Sequence, residues 1–190
     1  NGDGSSCDGT LLVPSEYSTI QSAIDAASDG DIVLVDDGTY FEYNLTITKL
    51  IVLKSVNGPE LTIIDASDAS GYISAVYFNQ IEGENLVIDG FTVKNAPDKG
   101  IRSFVSNPHI INCIIKDNSA SEYGGGLYLA ASNPRVSNCT IINNTSSSTG
   151  GGIIASNANV IIENCIINDN HAPYGGGLGL IGNINKTVEI

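Results

Sequence analysis

The main local concentration of basic side chains, together with nearby acids, lies between residues 94 and 117. It consists of Lys94, Asp98, Lys99, Arg102, His109, Lys116 and Asp117. A catalytic centre needs bases, acids and cations gathered in this way, and Lys99, Arg102 and His109 form the best candidate set. Charged residues in turns are more often a solvated surface. We therefore assign no catalytic residue and no binding residue from the sequence, and keep this set as the alternative interpretation.

Paired carboxylates are a second feature with chemical potential. Hydrolysis of a glycosidic bond requires two carboxyl groups about 5–10 Å apart across a groove. The closest pairs in the sequence are Asp36 with Asp37, and Asp65 with Asp68. The first pair precedes Gly38 in a turn, where Asp is favoured because its side chain hydrogen-bonds the local backbone. Neither pair recurs along the chain, so we interpret both as structural.

Metal ligands are sparse. His109 and His171 are isolated from each other, and residues 1–9 resemble a calcium loop in composition only. That segment lacks the ligand spacing of an EF-hand and its closing Glu. We predict no metal site and no cofactor, and Ca²⁺ is the only ion that the sequence leaves open.

An internal repeat must position all of these side chains. Three cysteines, Cys113, Cys139 and Cys165, are separated by 26 and 26 residues. Two asparagine positions recur with them, the first at Asn112, Asn138 and Asn164 and the second at Asn118, Asn144 and Asn170. Gly-Gly-Gly triplets begin at Gly124, Gly150 and Gly175, in steps of 26 and 25. Each period holds short apolar runs and no pattern of helical length.

This repeat predicts an all-β fold, a single-stranded right-handed parallel β-helix in which equivalent strands stack about 4.8 Å apart. Period-two alternation directs Cys139 and Ile141 inward and Thr140 outward. We expect both asparagine positions to form columns at bends, where Asn tolerates a left-handed backbone. The glycine triplets should mark a crowded turn. Small buried thiols pack well, so we expect the cysteine column to be reduced.

Earlier parts of the chain carry a divergent form of the repeat. If Phe91 to Asn95 is aligned with Ile114 to Asn118, Gly90 takes the cysteine position and Lys94 stacks on Asp117. Further short strands are predicted at residues 32–35, 45–53, 61–64 and 73–78.

The two ends of the repeat region differ. Ile20, Ala23, Ile24 and Ala27 follow helical spacing, and we predict an amphipathic capping helix with Ser18 as N-cap, ending by Gly30. The predicted organisation is a flexible segment at 1–10, a strand and capping helix at 11–31, and coils from 32 to 190. Residues 184–190 begin another coil, which indicates either a fragment or an end that docks onto another molecule.

Composition limits the partners and the location. The formal net charge is −13, which argues against nucleic acid because phosphate binding needs clustered Lys and Arg. No segment approaches the about 20 apolar residues of a membrane span, so no membrane insertion is expected. The chain has no Met, so its first residue follows a processing cut or begins a fragment. A cleaved secretory signal is the simplest explanation, and predicts a secreted or cell-surface protein.

The N-terminal motif and the repeats together resemble a known family. Residues 13–31 read VPSEYSTIQSAIDAASDGD, followed by VLV at 33–35 and GTY at 38–40. With the Asn-Cys and Gly-Gly-Gly repeats, these look like right-handed β-helix proteins of the pectate-lyase-like superfamily, of the bacterial surface type with polymorphic-outer-membrane-like repeats. The resemblance covers residues 11–190 and implies export. It implies a fold shared by polysaccharide lyases, glycoside hydrolases, esterases and adhesins, and therefore no single activity.

Lyases of this superfamily use a Lys or Arg base, usually with Ca²⁺ bound by Asp. Because no such group converges in the sequence, we expect a structural or adhesive surface protein that is not an enzyme. Its partners would be surface glycans, bound weakly, or other copies of the chain stacked end to end as a filament. A carbohydrate-active enzyme, either a polysaccharide lyase or a glycoside hydrolase, is the alternative.

Overall fold

The computed structural model describes residues 9–81, 83 and 85–182, together with the backbone of residues 188 and 189. In this part the chain winds into a right-handed parallel β-solenoid with one short helix, which confirms the predicted fold class. A typical coil contributes one strand to each of three sheets, which we name A, B and C in the order in which the chain meets them. Every strand pair between successive coils is parallel.

Strands are numbered along the chain. Sheet A contains β1 (Thr10–Val13), β2 (Ile32–Val35), β5 (Val52–Ser55), β8 (Val87–Asp89), β11 (His109–Ile111), β15 (Arg135–Ser137), β19 (Val160–Glu163) and β22 (Val188–Glu189). Sheet B contains β3 (Gly38–Tyr40), β6 (Thr62–Asp65), β9 (Thr92–Lys94), β12 (Ile114–Lys116), β16 (Thr140–Ile142) and β20 (Ile166–Asn168). Sheet C contains β4 (Leu45–Ile47), β7 (Val76–Asn79), β10 (Ile101–Phe104), β14 (Leu127–Ala130), β18 (Ile153–Ser156) and β21 (Leu178–Ile181). A two-stranded ladder joins β13 (Ser119–Ala120) to β17 (Thr145–Ser146).

The core consists of columns of small and β-branched side chains, one from each coil. In sheet B the column Ile64, Val93, Ile115 and Ile141 is in register and fully buried. Each such side chain contributes about 1.5–3 kcal/mol when it is removed from water. Columns of this kind need no large aromatic centre, which accounts for a composition with 6% aromatic residues and no Trp.

The column of Asn118, Asn144 and Asn170 is a hydrogen-bonded ladder inside the coil. The side-chain nitrogen of Asn118 donates to Oδ1 of Asn144 at 2.9 Å, and that of Asn144 donates to Oδ1 of Asn170 at 3.0 Å. Asn118 and Asn144 are buried. The expected left-handed backbone lies one residue earlier, at Asp117, Asn143 and Asp169, where φ is 57°, 56° and 52°. The preceding residue makes the bend, which directs the asparagine amide inward.

The other asparagine column stays at the surface. Asn112, Asn138 and Asn164 are exposed and have φ values of 53°, 53° and 52°, at the bend between sheets A and B. Each precedes a cysteine of the third column.

The thiols of Cys113, Cys139 and Cys165 are free and stack on successive coils. Cys113 and Cys139 are buried, and Cys165 is half-buried. Hydrogen bonding to the thiol of Cys113 and burial raise the pKa of Cys139. Hydrogen bonding to the thiol of Cys139 and burial raise the pKa of Cys165. Cys7 lies outside the described residues.

The glycine triplets lie at a shared corner before sheet C. Gly124, Gly150 and Gly175 have φ values of 64°, 68° and 58°, a left-handed backbone that suits glycine. A Cβ on the next residue, Gly125, would lie 2.1 Å from the carbonyl oxygen of Thr145. The corner therefore needs glycine both for its backbone angle and for the close approach of the neighbouring coil.

Helix α1 (Ile20–Ala26) packs against the first coils through Ile20, Ala23 and Ile24. Its N-cap is Thr19 rather than the expected Ser18, because the Thr19 side chain accepts from the Ser22 backbone nitrogen. The helix ends at Ala26, before Gly30.

Glu42 and Lys49 bind the two ends of α1, and Gln21 within the helix binds the edge of sheet C. The Glu42 carboxylate accepts from the first two backbone nitrogens of the helix, at 2.8 and 3.1 Å. Lys49 Nζ donates to three carbonyl oxygens at its C-terminus, the closest at 2.6 Å. The Gln21 side chain accepts from the Thr46 backbone nitrogen at 2.8 Å, which occupies the edge strand β4.

The alignment of the divergent coil is wrong by one residue. Thr92 pairs with Ile114 and Lys94 with Lys116, so buried Phe91 takes the inward position next to Cys113. Lys94 therefore does not stack on Asp117, and its Nζ instead lies 3.1 Å from Asp65 on the preceding coil. Gly90 turns the bend with φ of 82°, the position that Asn112 takes one coil later.

Two other predicted segments, residues 45–53 and 184–190, have different bounds in the structure or lie partly outside the described residues. The apolar run at residues 45–53 is divided into β4 and β5 by a turn, because the chain passes from sheet C to sheet A there. Of the coil expected at 184–190, Val188 and Glu189 pair with β19, and the other residues lie outside the described part. Residues 1–8 of the expected flexible segment, with most of the calcium-like loop, also lie outside it.

Candidate functional site

An open groove of about 540 Å³ lies along sheet C on the outside of the solenoid. Its lining comes from three consecutive coils, and comprises Tyr72, Asp98, Lys99, Arg102, Ser121, Glu122, Tyr123 and Tyr128. Two of the three residues in the sequence candidate, Lys99 and Arg102, lie in this groove.

Strand register creates the centre of the groove. Arg102 on β10 pairs with Tyr77 on β7 and with Tyr128 on β14. These three residues point outward, since their neighbours Ile101 and Ser103 are fully buried. The result is an aromatic–cation–aromatic column perpendicular to the strands.

The guanidinium group of Arg102 lies between the two rings. Its Cζ is 4.7 Å from the centroid of Tyr77 and 5.9 Å from that of Tyr128. Such cation–π contacts contribute about 0.5–2 kcal/mol each. These contacts hold the planar guanidinium in place without using its N–H donors. The buried Nε of Arg102 has no hydrogen-bond partner among the described residues.

A second cation in the groove is neutralised. Lys99 Nζ lies 2.7 Å from both carboxylate oxygens of Asp98, and the two side chains are 13% and 5% exposed. The same Nζ lies 5.3 Å from the centroid of Tyr128. This buried ion pair fixes the edge of the groove. Arg102 and Glu122 are the other two charged residues of its lining, and no ion pair joins them.

Most other described basic residues have partners. Lys54, Lys94 and Arg135 form ion pairs, and Lys49 binds the carbonyl oxygens at the end of α1. Within the described ranges, Arg102 is in no ion pair. An unpaired guanidinium is notable in a chain with a net charge of −13.

The third member of the sequence candidate, His109, lies elsewhere. It belongs to β11 in sheet A and borders a separate cavity of about 650 Å³, together with Asn107, Asn133 and Arg135. The expected set of Lys99, Arg102 and His109 is therefore wrong as a single site. Seven residues separate Arg102 from His109, and the chain turns from sheet C to sheet A between them.

His109 is hydrogen-bonded on sheet A. Its Nε2 lies 2.7 Å from Oγ of Ser137 on the next coil. Burial and the positive charge of Arg135 lower the pKa of His109.

Neither carboxylate pair forms an open site. Asp36 Oδ1 accepts from the Asp37 backbone nitrogen, and the Asp37 carboxylate accepts from Asn57 Nδ2 at 3.1 and 3.2 Å. Asp65 is buried and bound to Lys94 and Asn95, while Asp68 is exposed.

The described residues contain no group of three or more His, Cys, Asp or Glu side chains placed to hold a metal ion. Among them, no helix is long and apolar enough to cross a membrane.

Sequence reasoning missed the tyrosines of the groove. Tyr77, Arg102 and Tyr128 are separated by 25 and 26 residues, the period of the repeat, so the column was detectable. Tyr72 and Tyr123 carry no such signal, because they lie in turns outside the strand register.

Solved structures with the same fold include pectin methylesterases. One from Aspergillus niger, in penultimately deglycosylated form, is 20% identical with a TM-score of 0.61, covering 90% of this chain and 60% of that chain. The deglycosylated form of the same enzyme is 22% identical with a TM-score of 0.59 and the same coverage. Pectin methylesterase from Yersinia enterocolitica is 17% identical with a TM-score of 0.53, covering 77% and 55%.

The chain thus spans about three fifths of the length of these enzymes, and identities this low indicate a shared fold only. No curated protein sequence matches the chain. The family model described as the right handed beta helix region matches residues 51–189, and the chain therefore belongs to this family of right-handed β-helix proteins.

Proposed function

We propose that this protein is a secreted or cell-surface protein that binds acidic glycans through the groove on sheet C, and that the groove is a binding site without catalytic activity. The observation that carries the proposal is the guanidinium of Arg102, which lies between Tyr77 and Tyr128 on an open face and is in no ion pair with a described residue. A glycan offers this column a carboxylate or sulfate for the cation and sugar faces for the flanking rings.

The chemistry of the groove favours a carboxylate-bearing sugar. A guanidinium presents a planar fork of donors that matches a carboxylate, and stacking on the rings fixes the fork before the ligand arrives. A preorganised donor loses less entropy on binding than a free one. The tyrosines add a broad apolar surface with polar hydroxyl edges, which suits the mixed surface of a sugar ring.

An extracellular location agrees with the net charge of −13, which also argues against binding to nucleic acid. The role we propose is adhesive: the solenoid is a rigid support and the groove holds a glycan. Helix α1 closes one end of the solenoid, so the proposal does not include a filament of coils stacked end to end.

The test is a titration of the chain with de-esterified pectin, an acidic glycan, and with a neutral glucan, followed by calorimetry. We expect binding to the acidic glycan only. Arg102→Ala should weaken it at least about tenfold, since it removes charge-assisted hydrogen bonds worth about 1.5–3 kcal/mol. Arg135→Ala is the matched control, because it removes the same charge from an exposed ion pair on sheet A. Equal affinity of the two variants would refute the assignment of the groove.

A carbohydrate-active enzyme is the second candidate. Similar solved structures include pectin methylesterases, and two carboxylates, Asp98 and Glu122, line the same groove as Arg102. Against it, both oxygens of Asp98 are bound by Lys99. Release of methanol from methyl-esterified pectin by the wild-type chain, and its loss in Asp98→Asn, would establish this candidate in place of simple binding.

A further inference from the structure

The side chains around His109 form a second arrangement with chemical potential, on sheet A and separate from the groove of sheet C. His109 Nε2 and Ser137 Oγ are 2.7 Å apart, across two neighbouring strands. This is the separation at which an imidazole takes the proton of a serine hydroxyl. No other described serine has a hydrogen bond to a histidine side chain.

Strand register explains why the two groups meet. β11 lies between β8 and β15, and His109 pairs with Val87 below it and Arg135 above it. Ser137 lies two residues beyond Arg135 on the same outward face, so the ring reaches it along a diagonal. The strands fix both backbones, which leaves little freedom for the pair to separate.

The charges that face His109 come from both adjacent strands. Asp89 on β8 is paired with Lys54 at 3.3 Å, and Arg135 on β15 is paired with Glu163. Burial and Arg135 together lower the pKa of His109, against the opposite effect of the two carboxylates. The ring is therefore neutral at pH 7, the form that can accept a proton.

The pair is open and polar on the side of His109, whereas Ser137 is 6% exposed and is not among the residues that line the cavity. His109 borders the cavity of about 650 Å³ with the amides of Asn107 and Asn133 and the guanidinium of Arg135. Amide groups at this position suit a substrate that carries hydroxyl groups. Arg135, which is ion-paired with Glu163, is the cation in the lining of this cavity.

We propose that Ser137 is a nucleophile activated by His109, and that this site cleaves carboxylic esters of hydroxyl-rich compounds such as O-acylated sugars. Ser137 Oγ forms a bond to the ester carbonyl carbon while its proton passes to His109 Nε2. The carbon–oxygen bond to the alcohol breaks, and the alcohol leaves with that proton. Water, deprotonated by His109, then attacks the acyl-serine, releases the carboxylic acid and restores the hydroxyl.

The test uses a fluorophosphonate probe on the intact chain, followed by peptide mass spectrometry. Attack by Ser137 Oγ forms an oxygen–phosphorus bond, and fluoride leaves. We expect labelling at Ser137 that disappears in Ser137→Ala and falls at least about tenfold in His109→Gln, since general-base help contributes about 10²–10⁴ in rate. Ser147→Ala is the matched control, because its exposed hydroxyl bonds only a backbone carbonyl.

A pH profile on the wild-type chain tests the same proposal without any variant. The labelling rate should rise as His109 loses its proton and level off below pH 7, because the pKa of this group is lowered. Absence of label on Ser137 at pH 8, or labelling that is independent of pH and of His109, would overturn the proposal. Labelling of Ser137 requires no ligand in the groove of sheet C, so this outcome is separate from the result of the glycan titration.

Discussion

At the residue scale, Asp65 is the buried carboxylate whose charge the fold depends on most clearly. Burial by itself would raise the pKa of Asp65, but hydrogen bonds from Asn95, Lys94 and Ser67 outweigh this effect and lower it. A carboxyl group with a lowered pKa stabilises the fold above its unfolded pKa of about 3.9, and this stability is lost as the pH falls through the folded pKa.

We therefore expect Asp65→Asn to lower the free energy of unfolding by about 1–3 kcal/mol at pH 7, the usual contribution of hydrogen bonds to a charged group. The difference from wild type should shrink below about pH 3.9, where the wild type loses the contribution that the variant already lacks. Urea unfolding of the wild type and the variant at pH 7 and pH 3 measures this difference in stability. The exposed neighbour Asp68 provides the control, Asp68→Asn, and a difference that is constant with pH would contradict the assigned role.

Asn144 is the centre of the buried amide ladder. Its side-chain nitrogen donates to two carbonyl oxygens and to Asn170, and its oxygen accepts from Asn118. Asn144→Ala leaves several of these groups without partners in a buried site, and should cost about 2–4 kcal/mol. Denaturant unfolding of this variant should be compared with Asn168→Ala at an exposed position. A decrease of less than about 1 kcal/mol in the free energy of unfolding would mean that the amide ladder contributes little to stability.

At the element scale, the glycine corner determines how closely successive coils approach. Gly125→Ala would place a Cβ 2.1 Å from the Thr145 carbonyl oxygen, whereas the same change at Gly177 meets nothing closer than 3.4 Å. We expect Gly125→Ala to lower stability by about 3 kcal/mol or more, and Gly177→Ala by less than about 1 kcal/mol. Thermal unfolding followed by circular dichroism distinguishes them, and two equal melting temperatures would contradict the predicted packing.

The lengths of the coils determine which strand registers could be predicted from the sequence. The period of the cysteines and glycines predicts the coil, because residues that repeat in sequence repeat in space when each coil has one length. The coil before Cys113 is shorter by four residues than those after it, since Thr92 pairs with Ile114 while Ile114 pairs with Thr140. Because the coils differ in length, the alignment by residue type was wrong by one position. It predicted that Lys94 contacts Asp117, whereas its partner is Asp65.

At the scale of the whole molecule, proximity depends on which sheet a residue joins. His109 follows Arg102 by seven residues, yet the two lie on different faces because the chain turns a corner between them. Tyr77 and Tyr128 are 25 and 26 residues from Arg102, yet they stack on it. The sequence identified three groove residues, Asp98, Lys99 and Arg102, through their charge, but the aromatic partners required knowledge of the strand register.

The solenoid is thus a rigid frame that carries the Arg102 column on one face, and the recognition of an acidic glycan that we propose depends on that column. The most direct test is a crystal structure of the chain with a short oligosaccharide of de-esterified pectin. We predict that one sugar carboxylate lies within hydrogen-bond distance of the Arg102 guanidinium, with sugar rings against Tyr77 or Tyr128. An oligosaccharide bound on another face, or a groove that stays empty at saturating concentration, would contradict the account.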